Sequence, residues 1–270
     1  MAASLVIDDI EDNALTRRKE ACIHLKYGTD IAINAANTLY FLPILKLREN
    51  TFITDEQKLA IYSKMMEFFV KAHFGQGLDI SRNAKKSLQG NVDLMSLTRD
   101  ALNVYALKSA ASVEFVTHTA CIIAGADQVT TTALIAFARS FGISFQIKDD
   151  VHDFGSPGKW TKEPGIDLAC GKLTYVILLA LESLQREDQE FLVRMLCKEI
   201  PSSADNIDRG MLLVRRSGAL DKANAKVLSL LNDAWDNLCR VVPQSDARIM
   251  LKVMCEHLLK LDYDSFDITA

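Results

Sequence analysis

Proline and glycine are scarce in this chain, 5 and 12 among 270 residues, and no stretch of either forms a linker. Few helix breakers are therefore present, and no low-complexity segment or clear repeat interrupts the chain. No run of about 18 apolar residues occurs, so nothing reads as a membrane span. The stretch from Met1 to Ile7 is too short for a secretory signal, because carboxylates follow at Asp8. An excess of positive charge is also lacking. The formal net charge is −4, which argues against a protein that coats nucleic acid or an anionic membrane. Cysteines at 22, 121, 170, 197, 239 and 255 form no Cys-x-x-Cys pair and fit no zinc spacing, so reduced, mostly buried thiols are expected. His24, His73, His118, His152 and His257 show no metal-ligand spacing and read as structural. Neither a glycine-rich phosphate loop nor a Ser/His/Asp arrangement is present. The default expectation is a cytoplasmic globular protein.

What the chain does have is apolar and helix-forming. Apolar residues make up 49% of it, and long segments are rich in Ala, Leu, Lys, Glu and Met. They recur at helical spacing, as in Ile31-Ala32-Ala35-Leu39 and Leu134-Ile135-Ala138-Phe141. Breaks fall at Tyr27-Gly28, Arg48 to Thr54, Ser81 to Gly90, Gly125-Ala126-Asp127, Gly155 to Gly165 and Pro201-Ser202-Ser203. Between them the pattern predicts roughly eight to ten helices, packed as one all-α domain over residues 1–270. Leu173 to Leu184 and Val113 to Ala124 are apolar almost all round, which places them in the middle of a bundle.

Two acidic motifs stand out: Asp8-Asp9-Ile10-Glu11-Asp12 and Asp149-Asp150-Val151-His152-Asp153. Residues four apart share a helix face, so Asp8 lies over Asp12, and Asp149 over Asp153. Carboxylates converging on one face repel unless a cation bridges them, and Mg²⁺ takes oxygen ligands that it shares with substrate phosphates. A solvated acidic helix start is the plain alternative for one motif alone. Arg17 and Arg18 follow the first motif, and arginine forks recognise phosphate oxygens, though salt bridges to the acidic cluster would also occupy them. The second motif ends an apolar helical stretch, Ile143 to Lys148. Lys108 sits among small and apolar neighbours, and Lys162 and Lys172 flank the segment Asp167-Leu168-Ala169-Cys170-Gly171. Together these residues point to a Mg²⁺-dependent diphosphate site.

At these positions the chain resembles the trans-isoprenyl diphosphate synthases, most closely the fungal-type geranylgeranyl diphosphate synthases. The resemblance runs through Ser4 to Asn13, Leu15-Thr16-Arg17-Arg18, Ala32 to Asn37, Gly75-Gln76-Gly77-Leu78-Asp79-Ile80, Phe145 to Asp150 and Asp167 to Lys172. It implies an isoprenoid-synthase-type bundle around a central cavity, usually a homodimer, with three Mg²⁺ around an allylic diphosphate. Carried over, Asp8, Asp9, Asp12, Asp149, Asp150 and Asp153 would be metal ligands. Arg17, Lys108, Gln146, Lys162 and Lys172 would hold the allylic diphosphate (dimethylallyl, geranyl or farnesyl), and Arg18 the isopentenyl diphosphate. Ser109 stands where the family usually has threonine and joins this set. In the family, bulky residues four or five places before the first aspartate limit product length. Here those places are Ser4 and Ala3, which are small and imply geranylgeranyl diphosphate.

The pattern is departed from in places. Lys19 replaces a glycine, Cys170 replaces a glutamate, and the family's usual region before the first motif is not seen ahead of Met1. Two other readings stay open: a class I terpene cyclase acting on a prenyl diphosphate, and a non-catalytic partner of an active synthase.

Overall fold

A computed structural model describes residues 2–18, 20–82, 84–88, 90, 92–155 and 164–259. In chain order these residues form α1 (Ala2–Glu11), the strands β1 (Thr16–Arg17) and β2 (Glu20–Ala21), α2 (Ile23–Tyr27), α3 (Thr29–Glu49), α4 (Asp55–Ser81), α5 (Ala84–Ser87) and α6 (Leu94–Tyr105). A π-helical segment, Ala106–Ala110, leads directly into α7 (Ala111–Ala124) and then α8 (Gln128–Asp153). The remainder is α9 (Ile166–Cys170), α10 (Tyr175–Ser183), α11 (Arg186–Leu196), α12 (Ala204–Arg216), α13 (Ala219–Cys239) and α14 (Asp246–Leu259). The all-α expectation holds. The number of helices is larger than expected: fourteen α-helices are described, of which α2, α5 and α9 are too short to show a hydrophobic period.

Several helix ends follow local chemistry. Asp93 caps α6 by accepting from Ser96 N, Asp127 caps α8 through Thr130 N, and Thr174 caps α10 through Ile177 N. Gly125 ends α7 in the left-handed conformation that favours glycine. The π segment had no such signal, and the sequence reading ran straight through it.

The chain divides into two compact units, Met1–Glu67 and Phe68–Ala270, with the boundary inside α4. In the first, α1 and α2 pack on α3. The residues α3 buries are small, Ala32 and Ala36, while Ile31, Phe41 and Leu45 are exposed. In the second, α8 is the hub, packed by α7, the π segment, α10, α13 and α14. Every residue of α10 from Tyr175 to Leu181 is buried, as its all-round apolar character predicts. Along α13, Val227, Leu231, Trp235 and Leu238 repeat at helical spacing toward the interior, and Trp235 meets Phe137 of α8 edge-on at 5.6 Å. The expectation for Val113 to Ala124 is corrected. Within α7 only Ala111, Glu114 and Cys121 are buried, and Val116 and Ile123 face out. One side of α7 lies on α8 and the π segment, and its apolar composition does not bury the other. No helix among the described residues is long and apolar enough to cross a membrane. All six cysteines are free, and four of them are buried.

Candidate active site

In the first unit, the acidic motif closes α1. Asp12 lies just past the last helical residue, yet its amide still donates to the Asp8 carbonyl at 2.9 Å, so the expected register of Asp8 and Asp12 is kept. Asp9 faces inward and is 4% exposed. Such a carboxylate needs a paired cation, and Arg17 supplies it. Arg17 Nε lies 2.7 and 2.8 Å from the two Asp9 oxygens, and Nη2 lies 2.7 Å from Asp9 Oδ1 and 3.5 Å from Asp8 Oδ2. The β1–β2 hairpin brings Arg17 back to α1, and Arg18 occupies its turn with φ 54° and an exposed side chain. Cys22 is buried nearby; burial first, and Asp9 second, push its thiol above the usual range. Of the two residues proposed to set product length, Ala3 is buried and Ser4 is exposed.

In the second unit, the other motif occupies the last turns of α8, and its three aspartates have three different surroundings. Asp149 is exposed. Asp150 is 2% exposed and accepts hydrogen bonds from the Tyr105 hydroxyl, from Tyr175 N at 3.2 Å and from Gln146 Nε2 at 3.4 Å. Burial, followed by repulsion from Asp167, pushes its carboxyl well above the ordinary range. The Asp153 carboxylate accepts from Ile166 N at 3.2 Å and Asp167 N at 3.1 Å, and so satisfies the first amides of α9.

The lysine and serine flagged from sequence sit on the π segment beside this helix end. Lys108 Nζ is 2.8 Å from Asp79 Oδ2 of α4. Ser109 Oγ donates to Gln146 Oε1 at 2.7 Å. Lys172 follows α9 and is half-buried; Lys162 lies outside the described residues. Arg215 of α12 donates to the carbonyls of Phe154 and Gly155, both at 2.9 Å, just past the motif. A cation there suits a helix C-terminus loaded with carboxylates.

Tyr105, Asp79 and Arg215 were not assigned roles from sequence. Tyr105 carried a usable signal: a tyrosine inside an apolar helical run needs a hydrogen-bond partner once buried. Asp79 and Arg215 carried none, since surface carboxylates and guanidinia at helix ends are ordinary. Among the described residues, no group of three or more His, Cys, Asp or Glu stands ready as a metal cluster. Asp9, Asp150 and Asp153 spend their oxygens on protein donors.

The fold is that of the prenyl diphosphate synthases. It is similar to the geranylgeranyl pyrophosphate synthase of Corynebacterium glutamicum complexed with isoprenyl diphosphate and magnesium, with a TM-score of 0.84 at 22% identity over 96% of this chain and 75% of that one. It is also similar to the geranylgeranyl pyrophosphate synthetase of the archaeon Geoglobus acetivorans, with a TM-score of 0.78, 25% identity, and 96% and 76% covered. The polyprenyl synthetase family profile matches residues 1–211, and the chain belongs to that family of prenyltransferases. Among curated relatives, a short chain isoprenyl diphosphate synthase of Methanothermobacter thermautotrophicus is 28% identical over 267 residues, 96% of this chain and 76% of the relative. A geranylfarnesyl diphosphate synthase of Natronomonas pharaonis is 26% identical, with 96% and 72% covered.

Proposed function

We propose that this chain condenses isopentenyl diphosphate with an allylic diphosphate to give geranylgeranyl diphosphate, using Mg²⁺ and acting as a homodimer. The observation that supports this reading most is the end of α8, where an exposed Asp149 adjoins Gln146, Ser109 and the π segment bearing Lys108. Those groups are the carboxylate, amide, hydroxyl and ammonium that a metal-bound diphosphate requires.

The donor set fits magnesium, because it is all oxygen. By their places in the two motifs, Asp8 and Asp12 of the first and Asp149 of the second are the carboxylates we assign to the cations. When bound, Mg²⁺ supplies neutralising charge for the departing diphosphate. The chain's own residues do the rest. Lys108, Lys162 and Lys172 take phosphate oxygens of the allylic substrate, and Ser109 and Gln146 orient it. Arg18 takes the isopentenyl diphosphate, and Arg17 holds Asp9 and Asp8 in place. The allylic C–O bond breaks and its electron pair leaves with the diphosphate. The isopentenyl double bond attacks the resulting cation, and the new cation loses a proton to the departed diphosphate.

The test is incubation of purified protein with Mg²⁺ and farnesyl diphosphate, with and without isopentenyl diphosphate. A longer diphosphate formed only with both substrates is expected. A hydrocarbon or alcohol from farnesyl diphosphate alone would mean cyclisation instead. Absence of any turnover would sink the catalytic reading.

A further inference from the structure

Tyr105 is the last residue of α6, immediately before the π segment, and is 6% exposed. Its hydroxyl donates to Asp150 and accepts from Tyr175 N at 2.9 Å. Tyr175 is the first residue of α10, so that amide is one of the donors a helix start cannot satisfy internally. Asp150 then passes through Gln146 to Ser109, which lies inside the π segment. The contacts strap the segment Tyr105–Ser109 to α8 at both of its ends, with Lys108 between them. They also fix how α8 is rolled. With Asp150 held inward, Asp149, about 100° round the helix, is turned outward.

On the reading of the site given above, we propose that Tyr105 is a positioning residue for the diphosphate site. Through Asp150 it sets the outward aim of Asp149 and the placement of Lys108 and Ser109. Asp150 is then an anchor that touches no metal. Removing one hydroxyl leaves the phenyl ring and its packing in place, so Tyr105→Phe changes the strap more than the core.

The experiment is a Mg²⁺ titration of pyrophosphate binding by calorimetry, on wild type, Tyr105→Phe, Asp149→Asn and Asp150→Asn, with melting temperatures alongside. Tyr105→Phe is expected to raise the Mg²⁺ concentration for half-saturation by about 10- to 100-fold, the usual effect of losing a partner that orients a ligand. Asp149→Asn is expected to raise it at least as much. Asp150→Asn keeps an acceptor oxygen for Tyr105 and Tyr175, and should raise it less than Tyr105→Phe does. A wild-type half-saturation in Tyr105→Phe overturns the proposal. So does an Asp150→Asn effect equal to that of Asp149→Asn, which would make Asp150 a ligand. If Tyr105→Phe does not fold, the comparison of Asp149→Asn with Asp150→Asn decides. Wild-type protein that binds pyrophosphate but turns over no farnesyl and isopentenyl diphosphates would fail the proposed activity, and the ordering of the variants would still judge Tyr105.

Discussion

The Arg17–Asp9 pair shows how one contact organises a motif. A carboxylate this buried is tolerated only with its cation, and truncating one partner of such a pair leaves the other charge stranded. Arg17→Ala is expected to cost about 1.5–3 kcal/mol, the range for a hydrogen bond to a charged group, since the Arg17 side chain is itself 33% exposed. Arg17→Lys keeps the charge without the fork, and should recover only part of that loss in urea unfolding followed by circular dichroism. If Arg17 instead serves mainly the substrate, stability would stay at the wild-type level and only the KM for the allylic diphosphate would rise. At Ser109 the expectation is tolerance. Ser109→Thr keeps the hydroxyl that reaches Gln146, so turnover should persist, whereas Ser109→Ala should lower it. Much of this site was legible as a list of residues. The aspartates, Arg17 and Lys108 stood out by type, spacing and neighbours, and Ser109 and Gln146 entered through the family resemblance. Their division into inward and outward groups was not legible, because helical spacing fixes relative angles between side chains and not the roll of the helix against its neighbours.

The element that matters most is the π segment, and close packing holds it. A Cβ on Gly75 of α4 would lie 2.6 Å from Lys108 N and 2.8 Å from Leu107 C. A Cβ on Gly142 of α8 would lie 2.4 Å from Ala110 Cα. Both obstacles are backbone, which cannot rotate aside. Gly75→Ala and Gly142→Ala should therefore each destabilise by about 1–3 kcal/mol, as overpacking does, and should lower kcat by displacing Lys108. Gly77, two residues along α4, is the control. Nothing lies within 4 Å of its Cβ position, so Gly77→Ala should stabilise the helix by about 0.5–1 kcal/mol. Melting temperatures of the three variants would check the contrast, and equal shifts at Gly75 and Gly77 would refute it. The sequence already displayed Gly75, Gly77 and Asp79 as one run, but it did not distinguish the glycine a neighbour requires from the one it does not. Similarly, α7 looked as apolar as α10, and only α10 is enclosed. Composition records what a helix could bury, and its neighbours decide how much it does.

For the whole molecule, the expected product follows from small residues near the start of α1. Ser4→Phe should shift the product toward shorter diphosphates, read by chromatography of the dephosphorylated alcohols; an unchanged spectrum would remove Ser4 from any role in length. Ala3→Phe is a poorer probe, because Ala3 is buried and the larger ring would strain its packing. The sequence by itself determined the helical class, several of the helix limits and the two acidic motifs. These depend on periodicity, caps and breakers that act over a few residues, and such local preferences are written directly in residue order. The tertiary structure decided that Asp149 faces out while Asp150 is held by Tyr105, that Asp153 caps α9, and that Lys108 rides on a π segment wedged against two glycines. Each of those outcomes depends on groups far apart in the chain, Tyr105 with Asp150 and Tyr175, or Gly75 with Lys108. Their contacts arise only when helices pack, and the acidic motifs read from sequence acquire distinct roles at that point.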